Sequence, residues 1–166
     1  MAFHGRPVKK SALVQKIIAQ LAAELDGYMQ SARSAHAEAT DEQSKAEGKY
    51  DTRGLEASYL ARGQSRQAAE TAEALEQFAA LLLRDFDSDD AIDVGALVEV
   101  ETKSGRACYF IGPRAGGTQV THGRREVLVI TPQSPLGQQL VGKKQGDRWE
   151  SLLAGQNGTC RVISVA

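Results

Sequence analysis

Aromatic side chains are scarce in this 166-residue chain, at 5%. A large core built on aromatic packing is therefore excluded. Cysteine is nearly absent as well. Cys108 and Cys160 form no CxxC pair, and His4, His36 and His122 are scattered, a spacing that does not fit a zinc site. Two buried free thiols are the expectation. No apolar run approaches the ~20 residues that span a bilayer. The start, "MAFHGRPVKKSALVQKII", is basic and then apolar, but has neither a continuous apolar stretch nor a small-residue cleavage site. It is not read as a signal peptide, so the expected compartment is the cytoplasm, with no membrane partner. A charge excess is missing too, since the formal net charge is −1. Coating nucleic acid needs a basic stripe that displaces counterions, and this balance argues against it. What is present, 42% apolar and 25% charged residues, is the composition of a soluble globular chain of one domain or two small ones.

The two halves of the chain have different hydrophobic periods. From Ser11, a plausible N-cap, apolar residues fall at Val14, Ile18, Leu21, Leu25, Tyr28, Ala32, Ala35 and Ala39. Steps alternating between four and three make a heptad seam, which holds one stripe against a partner helix. The helix is expected to run to about residue 40, roughly 45 Å at 1.5 Å per residue. A second seam runs Ala57, Ala61, Gln64, Ala68, Thr71, Leu75, Phe78 and Leu82. The first seam has large side chains early and alanines late, and the second reverses that order. Antiparallel pairing matches large with large and small with small. The expectation is a helical hairpin with a thick base and a thin, alanine-lined far end at about residues 40–55.

"RDFDSDDAIDVG", residues 84–95, ends the second helix, and its aspartates favour a turn or linker over 85–94. Beyond it, "ALVEVET", "ACYFIGP", "REVLVIT" and "TCRVISV" are short, β-branched and bounded by turn residues, which predicts strands. "KSGR" is expected to turn the first hairpin. "SPLGQQL" reads as one short helix, capped by Ser134 and opened by Pro135. The class is therefore α+β, with a coiled-coil hairpin over residues 1–84 and a small sheet-and-helix domain over 95–166.

"VITPQSPLGQQLVGKKQGDRWE" resembles the Gre family of bacterial transcript-cleavage factors. That family has a strand leading into a Ser–Pro helix start, followed by a Gly–Lys…Gly–Asp turn. The matching residues are Val129, Ile130, Ser134, Pro135, Leu136, Gly137, Leu140, Gly142, Lys143, Gly146 and Asp147. "VGALVEVE" and "CYFIGP" resemble the two strands that open the same domain, so the likeness spans most of residues 94–166. "GLEASYLARGQ", with Tyr59–Leu60–Ala61, is similar to the start of the second coiled-coil helix in that family. The resemblance implies an antiparallel coiled coil followed by an FKBP-like domain. It also implies a transcription elongation factor whose partner is RNA polymerase core. The globular domain, through Ser134, Pro135, Leu136 and Gly137, would dock at the rim of the secondary channel. The coiled-coil tip would approach the catalytic magnesium and the 3′ end of the nascent RNA. Such a factor is not itself an enzyme. It lends carboxylates to a Mg²⁺ ion held jointly with the polymerase, and a hard ion of that kind takes oxygen ligands.

In active cleavage factors of this family the tip carries an Asp and, three residues on, a Glu. Counting back from Tyr59, those positions are Thr52 and Leu55 here, and neither is acidic. Asp51 and Glu56 lie one residue outside them, five apart, a spacing that does not share a helix face. Glu47 lies four before Asp51. Asp51, Glu56 and Glu47 are thus the candidate catalytic carboxylates, with Asp51 and Glu47 the candidate metal ligands. Three readings stay open: metal-assisted cleavage, modulation or inhibition of the polymerase without cleavage, and solvated charges that pair with Lys45, Lys49, Arg53 and Arg62. Two rivals from other classes are a peptidyl-prolyl isomerase, which would line its pocket with several aromatics, and a free-standing coiled-coil interaction protein. "GPRAGGTQVTHGRRE", residues 112–126, is rich in Gly and basic side chains and lacks the Gly–Lys–Ser/Thr end of a P-loop; the expectation is a flexible loop between strands, with a polymerase or nucleic-acid contact through Arg114, Arg124 and Arg125 as the alternative.

Overall fold

The structure, a computed structural model, describes residues 9–41, 52–152 and 158–166. Two long helices come first, α1 (Lys10–Thr40) and α2 (Arg53–Ala79). Then come strands β1 (Leu97–Thr102), β2 (Gly105–Ile111), β3 (Gln119–His122) and β4 (Arg125–Ile130), helix α3 (Pro135–Leu140), and strands β5 (Arg148–Ser151) and β6 (Gly158–Val165). The class is α+β, a helical hairpin followed by a mixed sheet. The chain divides into two compact units. One is the arm, Ala19–Glu76. The other takes the residues up to Ile18 together with Gln77–Ala166.

In the arm, the heptad positions are shielded, and so is their neighbour Ala74. Leu21, Leu25, Tyr28, Ala32, Ala35 and Ala39 of α1 are buried or half-buried, as are Ala57, Ala61, Gln64, Ala68, Thr71 and Leu75 of α2. Between them, Gly27, Arg33, Arg62 and Arg66 are exposed. A repeat of 3.5 residues keeps one stripe facing the partner, and this stripe is the one the spacing selects. Half of it is alanine, and each buried methyl-sized group contributes only about 0.8 kcal/mol. The last position of the second seam departs from the pattern. Leu82 is 91% exposed, because α2 ends at Ala79 and the stripe ends with it.

The six strands lie in the order β3-β4-β2-β1-β6-β5. All neighbours are antiparallel except β2 and β4, which run parallel. A parallel pair cannot be closed by a tight hairpin, and residues 112–124 make the crossing. The sequence predicts a flexible loop there. Instead Gln119–His122 forms β3, an edge strand paired with β4 through Val120↔Val127 and Thr121↔Glu126. β-branched Val120 and Thr121 suit a strand, and Gly123, at φ +65°, makes the return. Four residues among glycines and charges are too few to show a period. β5 is equally short, four residues, and shows no period either.

Alternation along the strands sorts the sheet into two faces. Val98, Val100, Tyr109, Ile111, Cys160 and Val162 join Leu136 and Leu140 of α3 in the main core. The Asp-rich segment before β1 contributes as well: Phe86 and Ile92 are buried in that core. Ile92 also exchanges backbone hydrogen bonds with the turn after α3, at 2.8 Å to the Lys143 carbonyl and 2.9 Å from the Gly142 N–H. On the other face, the Phe78 ring lies 6.3 Å from Phe110, tilted by 31°. Leu13 and Ile17 at the start of α1 are fully buried. Lys10 is also buried, its ammonium donating to the carbonyls of Arg84 and, at 3.2 Å, Gly95. The charge lies 4.7 Å from the Phe86 ring centre. Desolvation holds the Lys10 pKa below that of an ordinary lysine. Cys108 and Cys160 are both free thiols, the first half-buried and the second buried.

Gly112 sets how closely Phe78 can approach the sheet. A Cβ there would meet Phe78 Cζ and Val129 Cγ1, each at 2.8 Å. Gly112→Ala is therefore expected to destabilise the fold by about 1–3 kcal/mol, the usual cost of overpacking, measured by urea unfolding.

Candidate functional site

The far end of the arm and the start of α3 carry the residues with expected roles. Asp51 and Glu47 lie outside the described residues. Glu56 is exposed in the first turn of α2, where its carboxylate accepts a 2.9 Å hydrogen bond from Thr52 Oγ1. Its own N–H donates to the Thr52 carbonyl at 2.9 Å, closing the first helical turn. A negative charge at a helix start is stabilised by the exposed N–H groups there. Glu56 thus has local work at the helix terminus. Among the described residues, no group of three His, Cys, Asp or Glu side chains is arranged to hold a metal ion.

Leu55 and Tyr59, one turn apart on α2, are 57% and 61% exposed, and Leu60 is 53% exposed. Ala61 is half-buried in the seam. The heptad count already excludes Leu55 and Tyr59 from the seam, and that was the available signal for an exposed apolar strip. His36 is exposed on α1 and has no ligand partner among the described residues.

The start of α3 is built by its sequence. Ser134 is the N-cap, at φ −65° and ψ 153°. Its hydroxyl accepts from the Gly137 N–H at 3.0 Å and donates to the Thr131 carbonyl at 2.7 Å. Pro135 occupies the first helical turn, where its missing N–H costs nothing. Leu136 and Gly137 are buried. A Cβ on Gly137 would lie 1.8 Å from the Thr131 carbonyl oxygen, so no side chain fits. Of the four residues expected to dock a partner, Ser134, Leu136 and Gly137 have roles inside the fold, and Pro135 is the exposed one. The turn after the helix is fixed too. Gly142 and Gly146 adopt φ +88° and +90°, and Asp147 Oδ2 accepts from the Lys144 N–H at 2.8 Å. Trp149 on β5 is half-buried and donates to Gln139 Oε1 at 2.8 Å.

Sequence reasoning missed a charged cluster on the sheet. Glu99 of β1 is only 5% exposed. Arg106 Nη1 lies 3.6 Å from its Oε1, and Arg125 Nη1 lies 3.6 Å from its Oε2. Burial, with the nearby Glu99 charge, raises the Cys108 thiol above its ordinary pKa. The Val–Glu–Val–Glu alternation of β1 puts Glu99 on the face opposite Val98 and Val100. That much was legible, but the partners come from strands distant in sequence.

Ser134→Ala should cost about 1 kcal/mol, the usual loss for an N-cap. Gly137→Ala should cost more, because backbone rather than a flexible side chain must move. Chemical denaturation followed by circular dichroism would rank the two.

No family model matches the chain, and no curated protein matches it. Solved structures do show likeness. GreA factor homolog 1 (Gfh1) of Thermus thermophilus is 17% identical over 90% of this chain and 94% of its own, with a TM-score of 0.37. Gfh1 of Thermus aquaticus is 19% identical over 89% of this chain and 92% of its own, with a TM-score of 0.38. The transcription elongation factor GreA/GreB from Nitrosomonas europaea is 19% identical over 58% of this chain and 78% of its own, with a TM-score of 0.34.

Proposed function

We propose that this chain is an RNA polymerase-binding elongation factor of the Gre type. The globular unit would dock at the rim of the secondary channel, and the far end of the arm would act inside it. The observation that carries the reading is the Ser134–Gly137 helix start with its Gly142–Asp147 turn. The residues that resemble Gre factors are the ones whose hydrogen bonds and close contacts build this domain. A two-helix arm with an alanine seam fits the same reading, because small seam residues let the helices lie close and suit entry into a narrow channel.

Within that reading we favour modulation of the polymerase over RNA cleavage. Glu56 is engaged by Thr52 at the helix terminus. The two positions that hold the cleavage pair in Gre factors are Thr52 and Leu55. Magnesium prefers oxygen ligands in near-octahedral geometry, and a Leu side chain supplies none. Asp51 and Glu47 remain the carboxylates through which a cleaving tip would work, sharing a Mg²⁺ ion with the polymerase. The chain itself would not be an enzyme under either outcome.

Binding to polymerase core at micromolar concentration is the expected result of a pull-down with the full chain, and a secondary-channel factor should compete for it. On a backtracked elongation complex with magnesium, slowed elongation without short 3′ fragments is expected. Release of fragments, abolished by Asp51→Ala, would replace the modulatory reading with cleavage. Absence of binding would overturn the polymerase assignment itself.

A further inference from the structure

One face of the sheet is covered by α3. The other carries Leu97 and Glu99 of β1, Cys108 and Phe110 of β2, and Val127 of β4, which share a face because they pair in register and alternate along their strands. Phe78 lies over one end of this face, its ring 6.3 Å from that of Phe110. The other end opens into a cavity of about 1260 Å³, walled by the start of α1 and by residues 83–86, all within the globular unit.

Size and floor decide what fits. The volume exceeds the about 300–1,000 Å³ of small-molecule sites. Ser164 of β6, Glu99, Cys108 and Val127 run in register across the floor. Three strand spacings make it about 14 Å wide. These four strands are all internal to the sheet, so the floor has no open edge to which an extended peptide could add. An occupant there must satisfy its own backbone hydrogen bonds, which a helix does. A helix about 10–12 Å across and about 14 Å long takes up about 1,100–1,600 Å³, the size of the cavity.

The exposed chemistry of the walls sets the character of that helix. Leu83, Leu97 and Cys108 are half-buried and offer apolar surface, whereas Glu99 and Val127 lie beneath it. Both Glu99 oxygens already face arginines at 3.6 Å. At the rim, Lys9 and Arg124 are exposed, with no hydrogen bond or ion pair among the described residues. Arg84 is held by Asp90 at 3.2 Å. The exposed acid of the rim, Asp85, is drawn to the buried Lys10 ammonium. Two uncompensated cations thus flank an apolar floor.

We propose that this cavity receives an acidic amphipathic helix of a partner protein, its apolar side on Leu83 and Leu97 and its carboxylates on Lys9 and Arg124. About nine residues span the floor at 1.5 Å each. Helices read grooves in this way through apolar anchors one turn apart. The inference does not rest on the polymerase reading and is tested on the chain alone.

The probe is a synthetic peptide of about 12 residues with leucines at i, i+3, i+4 and i+7 and glutamates between them. Two controls replace its glutamates by lysines or place a proline at its centre. Fluorescence anisotropy with the full chain should show micromolar binding of the acidic peptide, at least about tenfold tighter than either control, weakening with salt. Lys9→Glu and Arg124→Glu, at exposed positions that spare the fold, should each weaken it about tenfold. Arg148→Glu, exposed on β5 and outside the cavity, should leave it unchanged. No binding at millimolar peptide would overturn the proposal. So would equal binding of the lysine or proline peptide, or binding indifferent to both Lys9→Glu and Arg124→Glu. A dimer of the chain that Arg124→Glu dissolves, seen by sedimentation, would make a second copy the occupant and overturn the partner helix.

Discussion

The absence of a side chain at Gly112 is the constraint on which the globular unit depends. It lets Phe78, the last large residue of α2, reach the sheet beside Phe110 and Val129. Phe78 is 1% exposed, and Leu13 and Ile17 from the start of α1 are equally buried. The first turns of α1 and the last turn of α2 therefore belong to the unit that contains the sheet, and the rest of both helices makes up the arm. Little else in the arm is large. Leu21 is the one buried leucine among the described residues of the arm, Leu25, Tyr28 and Leu75 are half-buried, and alanines fill the seam toward the far end. Stability is concentrated where the big side chains meet the sheet. An arm that buries little can then be long without being the source of the fold's stability.

The opposite face of the sheet solves a different problem. Helix α3 has only six residues, too short to be stable by itself. Ser134 and Pro135 set its start, Gly137 lets it press on the Thr131 carbonyl, and Leu136 and Leu140 fill the core. The Asp-rich segment before β1 closes the rest of that core through Phe86 and Ile92. It looks like a polar linker by composition, yet two apolar residues among its aspartates tie it down.

Much of this was legible in the sequence, and the reasons differ by element. The heptads of α1 and α2 repeat often enough for a period to show, and every seam position up to Phe78 is shielded. Leu82 misled because periodicity continues to count after a helix has stopped. β1, β2, β4 and β6 have the β-branched runs that mark half-buried strands, whereas β3 and β5 have four residues each. The pairing of β2 with β4 and the meeting of Arg106 and Arg125 at Glu99 depend on chain topology, which no local pattern encodes. For the candidate site, the roles of Ser134 and Gly137 in the helix start followed from local rules. Glu56 is a candidate carboxylate by its place near the tip, and its hydrogen bond from Thr52 follows from what the helix terminus needs. Asp51 and Glu47 fall outside the described residues.

The central claim is that the far end of the arm works within the polymerase. Site-specific cross-linking tests it most directly, with a photoreactive group at position 52 or 55 of the full chain bound to an elongation complex. The account predicts cross-links to polymerase segments beside the catalytic magnesium and to the RNA 3′ end. Cross-links confined to the outer surface of the polymerase, or none in a complex that demonstrably forms, would contradict it.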